Sequence, residues 1–100
     1  MVDPIYERLM QLMDVSAILP PQDRTQLANN LCFLLRRRYK NPIDPLDVSM
    51  ILGKNRVDQF QMRVMCRGDT VIMGAPRGSR EAALGGLRVE VESRIGEMSV

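Results

Sequence analysis

The chain lacks the side chains on which much of enzyme chemistry depends. Among its 100 residues there is no histidine, and the only cysteines are Cys32 and Cys66. A histidine general base, a serine–histidine–aspartate triad and the common histidine-containing zinc sites are therefore excluded. Two thiolates alone leave a zinc site unfilled unless chains share it, so we interpret both cysteines as buried free thiols. The sequence predicts no catalytic site, no metal and no cofactor.

The residues best suited to binding form a cationic cluster that follows an aromatic side chain. Phe33 precedes Arg36, Arg37, Arg38 and Lys40. On a helical wheel Phe33, Arg36 and Arg37 point away from the neighbouring leucines. A surface phenylalanine beside arginines stacks on a nucleic-acid base or anchors a protein partner. The alternative is a cationic helix end stabilised by the helix dipole, with Phe33 packed against the second half of the chain.

A second candidate is the segment Arg77-Gly78-Ser79-Arg80. A glycine-containing loop that enters a helix presents free N–H groups, and Arg77 and Arg80 would complete an anion site. The segment lacks the glycine-lysine-serine/threonine ending of a P-loop, so nucleotide hydrolysis is not supported. The alternative is an ordinary connection with solvated arginines.

The composition favours a macromolecular partner without deciding its class. Twelve of the 14 basic residues are arginine, and there are eight methionines. Arginine makes forked contacts with phosphate and carboxylate, and methionine adapts to irregular interfaces. A net charge of +2 is too small for a tail that coats a polyanion. A GC-rich genome also produces an arginine excess, and a small viral or phage accessory protein would suit both biases.

Helices are predicted to position the first cluster. Apolar residues recur at helical spacing over residues 4–15, again from Pro21 to about Tyr39, and over a short third segment from Asp44 to Gly53. Aspartate before proline is a typical helix start, and Gly53 would cap the third helix at its C-terminus.

Strands are predicted after the third helix. Residues 60–66 alternate between apolar and mostly polar side chains, Arg67-Gly68-Asp69 reads as a tight turn, and residues 70–73 form a second β-prone run. Ser79 would then cap a short helix that ends at Gly85-Gly86.

The last element is ambiguous in sequence. Leu87, Val89 and Val91 alternate with charged residues as in a strand, whereas Leu84, Leu87, Val91 and Ile95 lie at helical spacing. Because two glycines cost a helix about 2 kcal/mol relative to alanines, we predict a strand over residues 87–93. The expected fold is a single α+β domain, residues 1–100, in which a helical N-terminal half of three helices precedes a small antiparallel sheet.

The resulting functional prediction is a non-enzymatic interaction or regulatory module that binds a protein partner. It is also expected to self-associate, through the apolar face of the first helix or through the edge of the C-terminal strand. The alternative is an RNA- or duplex-binding protein without sequence-specific readout. The longest apolar run, Leu31–Leu35, is too short to span a membrane, and the N-terminus lacks a secretory signal pattern. We therefore expect an intracellular protein, cytoplasmic or within a host cell, with no membrane partner.

Overall fold

Three helices and a three-stranded antiparallel sheet make up the fold. The computed structural model describes residues 3–14 and 19–98. The elements are α1 (Pro4–Asp14), α2 (Pro21–Arg38), β1 (Val48–Lys54), β2 (Phe60–Cys66), β3 (Asp69–Met73) and α3 (Arg80–Met98). The strands follow the order β1-β2-β3. The α+β class is confirmed, but the helices are not all N-terminal, since α3 follows the sheet.

The first two helices begin at the prolines that the sequence predicts as their first residues. The Asp3 side chain accepts a hydrogen bond from the Ile5 amide at 2.9 Å, and Pro4 is the first helical residue. In α2, Pro21 occupies the first turn and three arginines occupy the last. Proline suits the first turn because its missing N–H would be unpaired there, and the arginines complement the negative end of the helix dipole. The predicted end of the first helix, residue 15, lies outside the described residues.

The predicted third helix is wrong. Asp44 does cap a turn, because its side chain accepts from the Leu46 amide at 3.0 Å. The helix stops after one 3₁₀ turn, Pro45–Asp47, and the chain then extends into β1. Seven residues of β1 pair with β2 in continuous antiparallel register. Pairing with a distant strand overrides the local preference here, and strand preference is known to depend on such neighbours.

The predicted strands and turn of the middle segment are confirmed. β2 spans the predicted residues, and β3 starts one residue earlier than predicted. Arg67 and Gly68 both have positive φ, 54° and 83°, as in the two-residue turns that join hairpin strands. A register shift between Val64 and Met65 interrupts the pairing of β2 with β3.

The glycine pair does not end the last helix. Ser79 caps it, with its hydroxyl accepting from the Ala82 amide at 3.1 Å, but α3 continues through Gly85 and Gly86 to Met98. The predicted strand over residues 87–93 is therefore wrong. A Cβ on Gly86 would overlap the Ala75 carbonyl oxygen, so glycine allows the helix to contact the chain after β3. The Ala75 amide donates to the Gly86 carbonyl at 3.2 Å across this contact.

The helices cover one face of the sheet and leave the other face open. Alternate strand residues are buried with residues from all three helices; they are Val48, Met62, Val64, Cys66 and Ile72. The apolar face of α1 is part of this core, and both cysteines are buried and free, as expected. None of the helices in the described ranges has the length and hydropathy needed to cross a membrane.

Candidate interaction surface

The exposed side of α2 carries the aromatic residue and the cations of the first cluster. Phe33 is 48% exposed, and Arg36, Arg37, Arg38 and Lys40 are exposed as well. The buried leucines of α2 lie on the opposite side of the helix. Phe33 therefore points away from the core, as the helical wheel predicts.

Arg36 is committed to the protein itself. Its Nη2 donates to Asp3 Oδ1 at 2.7 Å, which joins the end of α2 to the start of α1. Burial alone would raise the pKa of Asp3, but the hydrogen bond and charge of Arg36 and the backbone amides of α1 hold it below its ordinary value. Arg36 is thus a positioning contact between two helices rather than a free cation.

Arg37 and Arg38 meet a third arginine, Arg94, around a pocket of about 140 Å³. We call this site the arginine pocket, and its lining residues are Leu34, Arg37, Arg38, Val71, Ile72, Arg94 and Met98. In the described part of the chain, none of the three arginines forms an ion pair with a carboxylate. The guanidinium carbon of Arg38 lies 5.7 Å from the ring centre of Tyr39. The site therefore combines an apolar floor with a rim of positive charge.

Arg94 is the residue of this site that sequence reasoning missed. It is placed there because residues 87–93 are helical and the last turns of α3 lie beside the C-terminal end of α2. The helical spacing of Leu84, Leu87, Val91 and Ile95 was the available signal.

Lys40 lies apart from the arginine pocket. It lines a separate cleft of about 360 Å³, between the start of α1 and the segment after α2, together with Arg36 and Tyr39. The Tyr39 hydroxyl donates to the Cys66 carbonyl at 3.2 Å, which fixes the end of α2 against the end of β2.

The second predicted cluster is at the opposite end of β2. The backbone groups of Arg77 pair with those of Phe60, with N···O distances of 2.7 and 2.9 Å. Phe60 and Cys66 are six residues apart along the strand, which corresponds to about 20 Å. Arg77 and Arg80 are therefore not gathered with the cations of α2.

The side chains around Arg77 and Arg80 make contacts within the protein. The Arg77 guanidinium donates to the Pro76 carbonyl at 3.1 Å, and the Ser79 hydroxyl is occupied by its capping bond. Arg80 lies over the Phe60 ring, with 5.7 Å from its guanidinium carbon to the ring centre. Both arginines therefore already make contacts within the protein, and the anion site stays a prediction.

The thiols are poorly placed for nucleophilic chemistry. Burial raises the pKa of Cys32 to about 11, helped by the nearby Asp3 carboxylate and opposed by Arg36. Burial also raises the pKa of Cys66, against the positive charge of Arg67. A thiol with a raised pKa is protonated at neutral pH and is a weak nucleophile. Over the residues that the structure describes, no three metal-ligating side chains are grouped together.

Comparison with known proteins identifies no relative. No protein-family model, no curated protein and no solved structure matches the chain.

Proposed function

We propose that this protein is a non-enzymatic interaction module that binds a protein partner at the arginine pocket. The supporting observation is the pocket itself, an apolar floor surrounded by Arg37, Arg38 and Arg94, which lack carboxylate partners among the described residues. Protein interfaces typically combine an apolar centre with arginine and aromatic anchors. Phe33, one turn before Arg37 on α2, extends the same surface.

Nucleic-acid binding is the second candidate, and the exposed Phe33 beside Arg37 favours it. Two other features weigh against it. Arg36 is held by Asp3, so the free charge of the cluster is smaller than its sequence implies. The second aromatic of the basic regions, Phe60, has Lys54 and Arg80 each 5.7 Å from its ring centre, which hinders base stacking.

Self-association stays a prediction. Neither of the two surfaces expected to mediate it is available in the fold. The apolar face of α1 packs into the core, where Ile5, Leu9 and Met13 are buried. The expected C-terminal strand edge does not exist, because residues 87–93 are part of α3.

The proposal is tested by photocrosslinking in native cells. A photoreactive amino acid replaces Phe33, and in a control it replaces Val57, which is 70% exposed near the opposite end of the sheet. We expect a discrete protein to crosslink at position 33 and not at position 57. Adding Arg37→Ala and Arg94→Ala should abolish this product, whereas adding Arg56→Ala, a single exposed arginine in the β1–β2 loop, should preserve it.

The same variants separate the two candidate partners. For nucleic acid, affinity should fall steeply with salt for every sequence, and each lost phosphate contact should flatten the salt slope by about one unit. A protein partner anchored by the apolar floor should show a weaker salt dependence. Crosslinking to nucleic acid alone, or equal crosslinking at both positions, would contradict a protein-binding role for the arginine pocket.

A further inference from the structure

We infer that the free edge of β1 binds an extended segment of a partner protein and that Arg63 pairs with an acidic side chain of that segment. This surface is distinct from the arginine pocket, and the inference does not depend on that pocket.

Some backbone N–H and C=O groups of β1 point away from β2, toward the free edge of the sheet. The Val48 amide donates to Pro45, and the Val48 carbonyl accepts from Arg8 Nε at 3.1 Å, so both groups face away from β2. In an antiparallel pair this orientation alternates, so the backbone groups of Met50 and Leu52 also face outward. Among the described residues outside the sheet, none forms a hydrogen bond with them.

The middle of this edge, from Ser49 to Gly53, lacks the usual protection against strand addition. Residues 48–53 contain no charge and no proline, and their pairing with β2 has no bulge. The charged residue of β1 is its last, Lys54, which pairs with Asp58 at 3.5 Å. Native edge strands are usually blocked by lysine, proline or bulges. The opposite edge, β3, has an interrupted register and begins at Asp69. Ile51 and Leu52 are 46% and 37% exposed, so β1 is accessible to an added strand.

Arg63 supplies the charge specificity of this edge. It lies on the open face of the sheet, opposite Ile51 and Met73 on the neighbouring strands. Its Nε is buried without a hydrogen-bond acceptor, and its Nη2 would lie 3.6 Å from a Cβ on Gly53. The guanidinium therefore extends over Gly53 toward the free edge of β1.

A carboxylate on an added strand would complete this arrangement. Such a strand lies about 4.8 Å beyond β1, and its residue opposite Gly53 would project on the same face as Arg63. A carboxylate is the acceptor that best matches a guanidinium fork. The absence of a side chain at position 53 leaves the path between the two groups clear.

A second copy of this chain fits the edge less well. Antiparallel pairing of two β1 strands through Met50 and Leu52 places Ser49, Ile51 or, when Met50 lies opposite Met50, Asp47 of the copy opposite Gly53. Ser49 and Ile51 carry no carboxylate, and the Asp47 carboxylate already pairs with Arg67 at 3.6 Å, so Arg63 would remain without its acceptor. The charge therefore favours an acidic peptide from a different protein.

The test is selection of short random peptides displayed on phage against the full chain. We expect enriched peptides to alternate apolar and polar residues and to share an acidic position. In the complex, the amides of Met50 and Leu52 should shift in NMR spectra and become protected from exchange.

Arg63→Glu should lower affinity for these peptides at least about tenfold and favour basic peptides on reselection. Arg56→Glu makes the same charge change in the β1–β2 loop and should leave binding intact.

Two further variants test the edge itself. Leu52→Pro removes an outward amide that makes no bond to β2 and should abolish binding. Gly53→Asp has ordinary van der Waals space beside Arg63 and would supply the acceptor from within the chain, so it should also block acidic peptides. If Leu52→Pro does not fold, Gly53→Asp tests whether the edge of β1 binds the peptides.

Three results would overturn the inference. The first is selection without an acidic position. The second is loss of peptide binding on Arg37→Ala with Arg94→Ala, which would assign the peptides to the arginine pocket. The third is a dimer in light scattering that Leu52→Pro or Gly53→Asp converts to monomer, which would assign the edge to a second copy.

Discussion

Adjacent arginines of α2 have different roles that their shared sequence context does not distinguish. Arg36 reaches Asp3 at 2.7 Å, whereas Arg37 turns to the arginine pocket and has no ion pair within the described residues. The difference arises because α1 begins beside one side of the α2 terminus, while β3 and α3 lie on another.

We predict that Arg36→Ala lowers the free energy of unfolding by about 0.2–1 kcal/mol, the usual range for an exposed ion pair. Arg37→Ala should leave stability unchanged while weakening partner binding. The pKa of Asp3 is lower in the folded protein, so its contribution is present at neutral pH and is lost as pH falls through and below the ordinary value of 3.8. Urea unfolding of both variants, repeated at acidic pH, checks this. Equal stability losses for the two variants at neutral pH would contradict it.

The buried thiols lead to a second prediction at the residue scale. Burial raises the pKa of Cys32 to about 11 and also raises the pKa of Cys66. Both native thiols should therefore react slowly with a disulfide reagent at mildly alkaline pH and rapidly after unfolding. The folded state favours the protonated thiol, so the Cys32 contribution to stability is present below the ordinary pKa of 9.0 and is lost as pH rises toward 11. Cys32→Ser should reduce that alkaline loss, and rapid labelling of the native protein would refute the assignment.

At the scale of elements, α3 shows how packing reverses a local preference. Glycine destabilises a helix interior by about 1 kcal/mol relative to alanine. In α3 the glycine at position 86 gives the helix its close approach to Ala75, and a hydrogen bond forms across the contact. The adjacent Gly85 has no atom within 4 Å of its Cβ position, so only one glycine of the pair is required by packing.

The two glycines therefore provide a matched pair of variants. We predict that Gly86→Ala destabilises the protein by about 1–3 kcal/mol, because the added methyl overlaps the Ala75 carbonyl. Gly85→Ala should stabilise it by about 1 kcal/mol through helix propensity alone. Thermal or urea unfolding of both variants measures the difference. Equal effects would show that α3 does not pack against residue 75 as described.

At the scale of the whole molecule, segments from both ends of the chain share one core. α1 contributes Ile5, Leu9 and Met13, and α3 contributes Leu84, Leu87 and Val91 to the same buried set. The sheet between them in sequence presents one face to all these residues. The fold is therefore expected to unfold cooperatively, with the C-terminal helix as a necessary part.

This common core leads to a prediction for α3. Leu87 is fully buried and Val89, two residues later, is 53% exposed. Leu87→Ala should cost about 2–5 kcal/mol in unfolding free energy, whereas Val89→Ala should change it by less than about 0.5 kcal/mol. If residues 87–93 formed a strand, the side chains of Leu87 and Val89 would lie on the same face, and both would be buried or both exposed. Comparable effects of the two variants would therefore contradict the position of α3.

Sequence alone determines the features of this protein that depend on near neighbours in the chain. The starts of the three helices, the alternation of β2 and the Arg67-Gly68 turn follow from capping residues, helix-start prolines, periodicity and the turn preference of glycine. Phe33 and Arg37 were likewise placed on an exposed surface, because the opposite side of α2 is a continuous leucine stripe.

Only the tertiary structure decided the features that depend on distant contacts. β1 is a strand because β2 pairs with it, and α3 continues through its glycine pair because Gly74 and Ala75 lie against Gly86. The same contacts bring Arg94 beside Arg37 and leave Arg63 over Gly53 at an open edge. Local propensities differ by only about 1 kcal/mol per residue, so strand pairing and close packing overrule them wherever the two conflict.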